Sequence, residues 1–159
     1  MPPGVIPFPR GFAFGPDGRL FLASGVGPNG QGDNTIVAFA PRTPMQPRRL
    51  VTDPELSPLD LAIAPNGNVV VSSEHPFGAV DAVTSVREYD SRDGQLVRVF
   101  FPNGKVEFRK PRGLRFANGG VLYCVARDEV VGFDFTSGQC LGAIVRLPRL
   151  NGQAVALFP

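Results

Sequence analysis

Three stretches of the chain share one pattern of apolar and polar positions and align without a gap: PRGFAFGPDGRLFLAS from Pro9, PLDLAIAPNGNVVVSS from Pro58 and PRGLRFANGGVLYCVA from Pro111. Their starts lie 49 and then 53 residues apart. Each reads as a short apolar strand, a Gly-containing turn and a second strand. The turns are Gly15-Pro16-Asp17-Gly18, Pro65-Asn66-Gly67 and Asn118-Gly119-Gly120. Asp-Gly and Asn-Gly readily take the positive φ that tight hairpins need, so the pattern predicts three β-hairpins.

The likeness continues downstream of two of them. SVREYDSRDGQLVRVF from Ser85 matches EVVGFDFTSGQCLGAIV from Glu129 around a shared Asp-x-x-x-Gly-Gln turn, Asp90 to Gly94 against Asp134 to Gly138. The first copy offers NTIVAFAPRTP and RRLVTD for the same third and fourth strands. Four short strands in a period of ~40–50 residues are the mark of a propeller blade, a unit that buries its faces only by stacking on neighbours. The expected fold is all-β, a partial β-propeller within a single domain spanning 1–159, with repeats near 9–57, 58–110 and 111–150. A β-sandwich is the alternative, but it does not require one hairpin to recur at such spacing.

The final residues carry a fragment of a fourth copy over 151–159, with QAVALFP set against DLAIAP so that Val155 lies under Leu61 and Leu157 under Ile63. About three blades plus the first strand of a fourth fall short of a closed ring, which takes at least about four blades. Two explanations are open: the chain is a piece of a longer propeller, which we expect, or a homo-oligomer completes the ring.

Composition agrees with many strands and turns, since 19 Gly and 17 Pro are spread among β-branched and aromatic residues. A formal charge of +2 argues against nucleic acid as a partner. No apolar stretch approaches the ~20 residues of a membrane span, and the opening MPPGVIPFPRG has neither a basic n-region nor an apolar h-region, so we expect a soluble chain. Cys124 and Cys140 have neither zinc-site nor CxxC spacing and are expected to pack as small apolar residues.

The string GFAFGPDGRLFLAS and its weaker copies resemble the phrase that recurs in NHL repeats and in gluconolactonase-like, strictosidine-synthase-like and virginiamycin B lyase-like propellers. The resemblance covers nearly the whole chain and implies an architecture that is commonly six-bladed. It further implies that the first strand of each blade lines the channel. Ligand groups would then come from residues just before that strand and just after the second one.

Gluconolactonase-like enzymes hold a divalent cation in the channel on one Glu and a small set of Asn and Asp oxygens. On that resemblance the metal candidates are Asp60, Glu74 and Asn151, with Ca²⁺ or Mg²⁺ as the cofactor if the chain is such an enzyme and none otherwise. The chain departs from the pattern by placing Arg10 and Arg112 at two of the four candidate positions, where a guanidinium repels a cation. His75 is the only histidine, and beside Glu74 it is the candidate general base for a hydrolase or lyase. No second histidine is present to build a serine triad on Ser72 or Ser73.

Arg10, Arg112 and Arg127 are the candidate ligand-binding residues, and Lys105, Arg109, Lys110 and Arg115 enlarge the basic group around the third repeat. Phe12, Phe14, Phe21, Phe39, Phe116, Phe133 and Phe135 occupy strand positions expected in the packed core. The expected function is non-catalytic recognition of a protein or an anionic small molecule. The alternative is a divalent-metal-dependent lactonase-like hydrolase or lyase.

Overall fold

The computed structural model describes residues 6, 8–26, 33–74, 84–103, 108–149 and 152–156. Twelve strands form three four-stranded antiparallel sheets, each a simple meander. The first blade holds β1 (Pro9–Phe14), β2 (Leu20–Ser24), β3 (Thr35–Ala40) and β4 (Thr43–Thr52). The second holds β5 (Pro58–Ile63), β6 (Val69–Ser73), β7 (Ser85–Tyr89) and β8 (Leu96–Phe100). The third holds β9 (Pro111–Phe116), β10 (Val121–Ala126), β11 (Glu129–Asp134) and β12 (Cys140–Arg146). The chain is thus a partial all-β propeller of three blades.

The turns follow the sequence reading. In both Asp-x-x-x-Gly-Gln turns the Gly N–H donates to the Asp carbonyl, Gly94 to Asp90 at 2.9 Å and Gly138 to Asp134 at 2.8 Å. The Asp N–H closes the loop on the Gln carbonyl at 2.9 Å in each. Each first strand also carries a register shift near its start, between Pro9 and Phe12, between Pro58 and Asp60, and opposite Cys124 and Ala126. Such a bulge bends the strand and re-aims its side chains.

Strand alternation sorts side chains into two seams. Val69 and Val71 point to the first blade, joining Phe21, Ala23, Ile36, Leu50 and Leu61. Val70 points the other way, joining Phe100, Leu114, Leu122, Cys124, Phe133 and Phe135. Period-two alternation predicts this division for a sheet covered on both faces. Both cysteines are free and buried, as expected of small apolar residues. Burial pushes the Cys124 thiol pKa well above its ordinary value, so it stays protonated.

Two of the seven phenylalanines expected in the core stand outside it. Phe12 is 63% exposed and Phe14 66%, and their rings meet edge to face 6.2 Å apart. Leu61 and Leu114, at the position matching Phe12, are almost fully buried. These positions are buried only by a preceding blade, and no described blade stacks on that face of the first. Phe39 and Phe116 are half-buried, the latter packed against the second seam.

Residues 152–156 form no strand, contrary to the expectation of a first strand for a fourth blade. They nevertheless occupy its seat. The Gly113 N–H donates to the Gln153 carbonyl at 3.0 Å, and the Gly152 N–H to the Arg127 carbonyl at 2.7 Å. A strand exists only as part of a ladder, and no described second strand pairs with this segment.

Candidate functional site

β1, β5 and β9 are the neighbouring first strands of the three blades, and β5 contacts both of the others. The second residue of each strand, Arg10, Leu59 and Arg112, lines one open cavity of about 330 Å³. Gln153 completes the set, because the alignment of Val155 with Leu61 puts Gln153 at the position of Leu59. Gly11, Asp60, Arg115 and Ala154 form the rest of the wall. One repeat position from each of four copies therefore meets in the channel.

Arg10 is exposed, and its Nη2 donates to the Val26 carbonyl at 3.2 Å. Its guanidinium lies over Gly25, where a Cβ would stand 2.9 Å from Nε and 3.4 Å from Cζ. Arg112 is half-buried, and its Nε is buried without a hydrogen-bond partner. A buried donor left unmatched is costly unless an acceptor arrives.

Asp60 is tied into the blades. Its Oδ2 accepts the Leu114 N–H at 3.0 Å and lies 3.4 Å from Arg115 Nη1. Its N–H donates to Ser72 Oγ at 3.0 Å, and that hydroxyl donates to the Arg112 carbonyl at 2.7 Å. Arg115 Nη1 also donates to the Leu114 carbonyl at 2.5 Å. Three guanidinium groups and one engaged carboxylate leave the cavity with excess positive charge and many donors.

A second, smaller cavity of about 210 Å³ is lined by Glu74, Thr84, Arg109, Lys110 and Arg127. Lys110 and Arg127 hold left-handed backbone, φ 50° and 54°. For side chains of this size that is a strained conformation, held here by the tight connections at the blade ends. Arg127 Nε lies 3.8 Å from Asp128 Oδ2.

The sequence candidates thus separate. Arg10, Arg112 and Asp60 meet in the channel, whereas Arg127 and Glu74 share the second cavity. His75, Asn151 and Lys105 lie outside the described residues. Asp60 and Glu74, two of the three metal candidates, line different cavities. Among the described residues no group of three His, Cys, Asp or Glu side chains is placed to hold a metal ion. Gln153 is a site residue that sequence reasoning did not single out, and Arg115, read from the sequence only as a member of the basic group around the third repeat, lines the same cavity. The signal for Gln153 was present in the repeat alignment, which places it, and not Asn151, opposite Arg10 and Arg112. No helix among the described residues is long and apolar enough to cross a membrane.

No protein-family model matches the chain, and no curated protein matches it in sequence. Solved structures match its fold. A virginiamycin B lyase from Staphylococcus aureus aligns over 97% of this chain and 46% of its own, with a TM-score of 0.71 at 16% identity. A gluconolactonase from Xanthomonas campestris aligns over 92% of this chain and 49% of its own, with a TM-score of 0.69 at 21% identity. A chain of a nidogen/laminin complex aligns over 88% of this chain and 50% of its own, with a TM-score of 0.62 at 18% identity. The chain spans about half the length of these proteins, and at such identities the likeness is one of fold.

Proposed function

We propose that this propeller module recognises an anionic ligand, a small acid or an acidic group on a protein partner, at the channel mouth. The observation that carries the reading is the convergence of Arg10, Arg112 and Arg115 on one cavity where the only carboxylate among the described residues, Asp60, already accepts the Leu114 N–H and lies against Arg115. Guanidinium groups on rigid strands recognise carboxylate and phosphate oxygens through paired N–H donors. One structural neighbour comes from a complex between nidogen and laminin, which supports protein recognition as a use of such a scaffold.

Asp60→Asn separates this reading from the metal-dependent hydrolase. An Asn carbonyl can still accept the Leu114 N–H, so the seam keeps its tie while one negative charge leaves the channel. Anion affinity, measured by calorimetry at constant ionic strength, is expected to rise about threefold to tenfold in Asp60→Asn. It is expected to fall about tenfold or more in Arg112→Gln. Anion affinity unchanged in both variants overturns the proposal. Ca²⁺ affinity that is present in the wild type and lost in Asp60→Asn favours the enzyme.

A further inference from the structure

The wall of the channel cavity is not uniformly basic. Reading one repeat position around it gives Arg10, Leu59, Arg112 and Gln153, so an apolar residue separates two guanidinium groups. Leu59 is only 8% exposed and is fixed by the bulge at the start of β5, so it presents a small, rigid apolar surface. The third arginine, Arg115, is committed to Asp60 and to the Leu114 carbonyl. Arg10 has one hydrogen bond to a carbonyl, and Arg112 has a buried Nε with none.

From this order we infer that the cavity takes a small acid with two carboxylates joined by a short apolar spacer, one carboxylate on Arg10, the other on Arg112 and the spacer against Leu59. The inference rests on the anion-recognition reading above. β5 stands between β1 and β9, so the two cationic heads project from different blades as two points. A volume of about 330 Å³ lies at the small end of ligand pockets and suits a molecule of this kind. An acid that reaches both heads gains a second charge-assisted contact without a second loss of rotational and translational freedom. Gln153 lines the same cavity.

The test is calorimetry on the full chain near neutral pH and at constant ionic strength, with butyrate, succinate, glutarate, adipate and inorganic phosphate as probes. At least one dicarboxylate is expected to bind about tenfold or more tightly than butyrate. Arg10→Gln and Arg112→Gln are each expected to bring it down to the butyrate level. If either variant fails to fold, the wild-type series alone decides. Equal affinity for butyrate and every dicarboxylate overturns the two-point site and leaves anion recognition standing. Phosphate binding more tightly than every dicarboxylate does the same, because it marks a single-centre site. Binding of none of these anions overturns both readings.

Discussion

Gly11 and Asp60 meet so closely across the first seam that a Cβ on Gly11 would stand 2.7 Å from the Asp60 Cα and nearer still to its Oδ1. The same approach recurs at Gly113, where a Cβ would stand 2.7 Å from the Ala154 Cα. In the repeat alignment Ala154 is the counterpart of Asp60, so β1 against β5, and β9 against the segment 152–156 that follows the third blade, pack backbone to backbone around the channel. The channel wall and the blade seam are one piece of structure.

Gly11→Ala is therefore expected to destabilise the fold, because the neighbour that must move is backbone. Overpacking of this kind costs about 1–3 kcal/mol. In a chain of this size that lowers the melting temperature by about 3–10 °C. Gly113→Ala, which presses on a segment outside any ladder, is expected to cost less. Thermal unfolding of the two variants against wild type checks both statements.

Gly25→Ala is expected to act on binding and not on stability. Its Cβ would press on the Nε and Cζ of Arg10, the far end of a side chain that can swing away. The melting curve should change by less than about 0.5 kcal/mol equivalent, while anion affinity falls about threefold to tenfold. In an Arg10→Gln background the same substitution should have no further effect on affinity. A double-mutant cycle read by calorimetry distinguishes this positioning role from a general loss of structure.

The sequence showed the blades because a hairpin needs only local chemistry: turn residues between two alternating runs at Pro9, Pro58 and Pro111. It placed Arg10 and Arg112 together for the same reason, since they share a repeat position. Which partners a residue meets across a seam is a different kind of fact. Asp60 read as a free oxygen ligand, yet a close approach of strands from separate blades hands it the Leu114 N–H. Phe12 read as core because it holds a strand position where blades press together, yet its exposure depends on what stacks against its blade. Arg127 fell in a cavity apart from Arg10 because a two-residue turn with left-handed backbone redirects it.

Acid is expected to loosen the second blade through Glu88. This carboxylate is only 1% exposed, and burial by itself would raise its pKa. Hydrogen bonds from Asn66 Nδ2 at 2.8 Å, Asn68 Nδ2 at 2.7 Å and Arg98 Nε at 2.6 Å outweigh that and hold the pKa below its ordinary value. The lowered folded-state pKa makes this contribution complete above the ordinary carboxylate range, and it is lost as pH falls through the lowered value. Asp53, held low by Tyr89, the Glu55 N–H and Arg87 against its own burial, acts in the same direction. Urea midpoints measured from neutral pH downward should fall steeply at acid pH in the wild type and less steeply in Glu88→Gln.

Arg98 is where the outer end of the second seam is closed. Its guanidinium pairs with Glu88, donates from Nη1 to the Thr136 carbonyl of the third blade at 3.2 Å, and lies 4.8 Å from the Phe100 ring centre and 4.5 Å from that of Phe135. Arg48 holds the matching position in the first blade and donates to the Arg92 carbonyl of the second at 3.0 Å. The third blade has Gly142 there, paired with Gly132, so it lacks this cross-blade arm. Removing the Arg98 head leaves a buried carboxylate without its cation, so Arg98→Ala is expected to cost about 3 kcal/mol or more. Arg48→Ala, which breaks only an exposed bond to a carbonyl, should cost less than about 1 kcal/mol. Arg98→Lys should recover only part of the loss, because an ammonium keeps the charge but not the flat face that stacks on two rings. Chemical denaturation of the three variants decides the matter: equal losses for Arg48→Ala and Arg98→Ala would assign the effect to the carbonyl arm and not to the buried pair with Glu88.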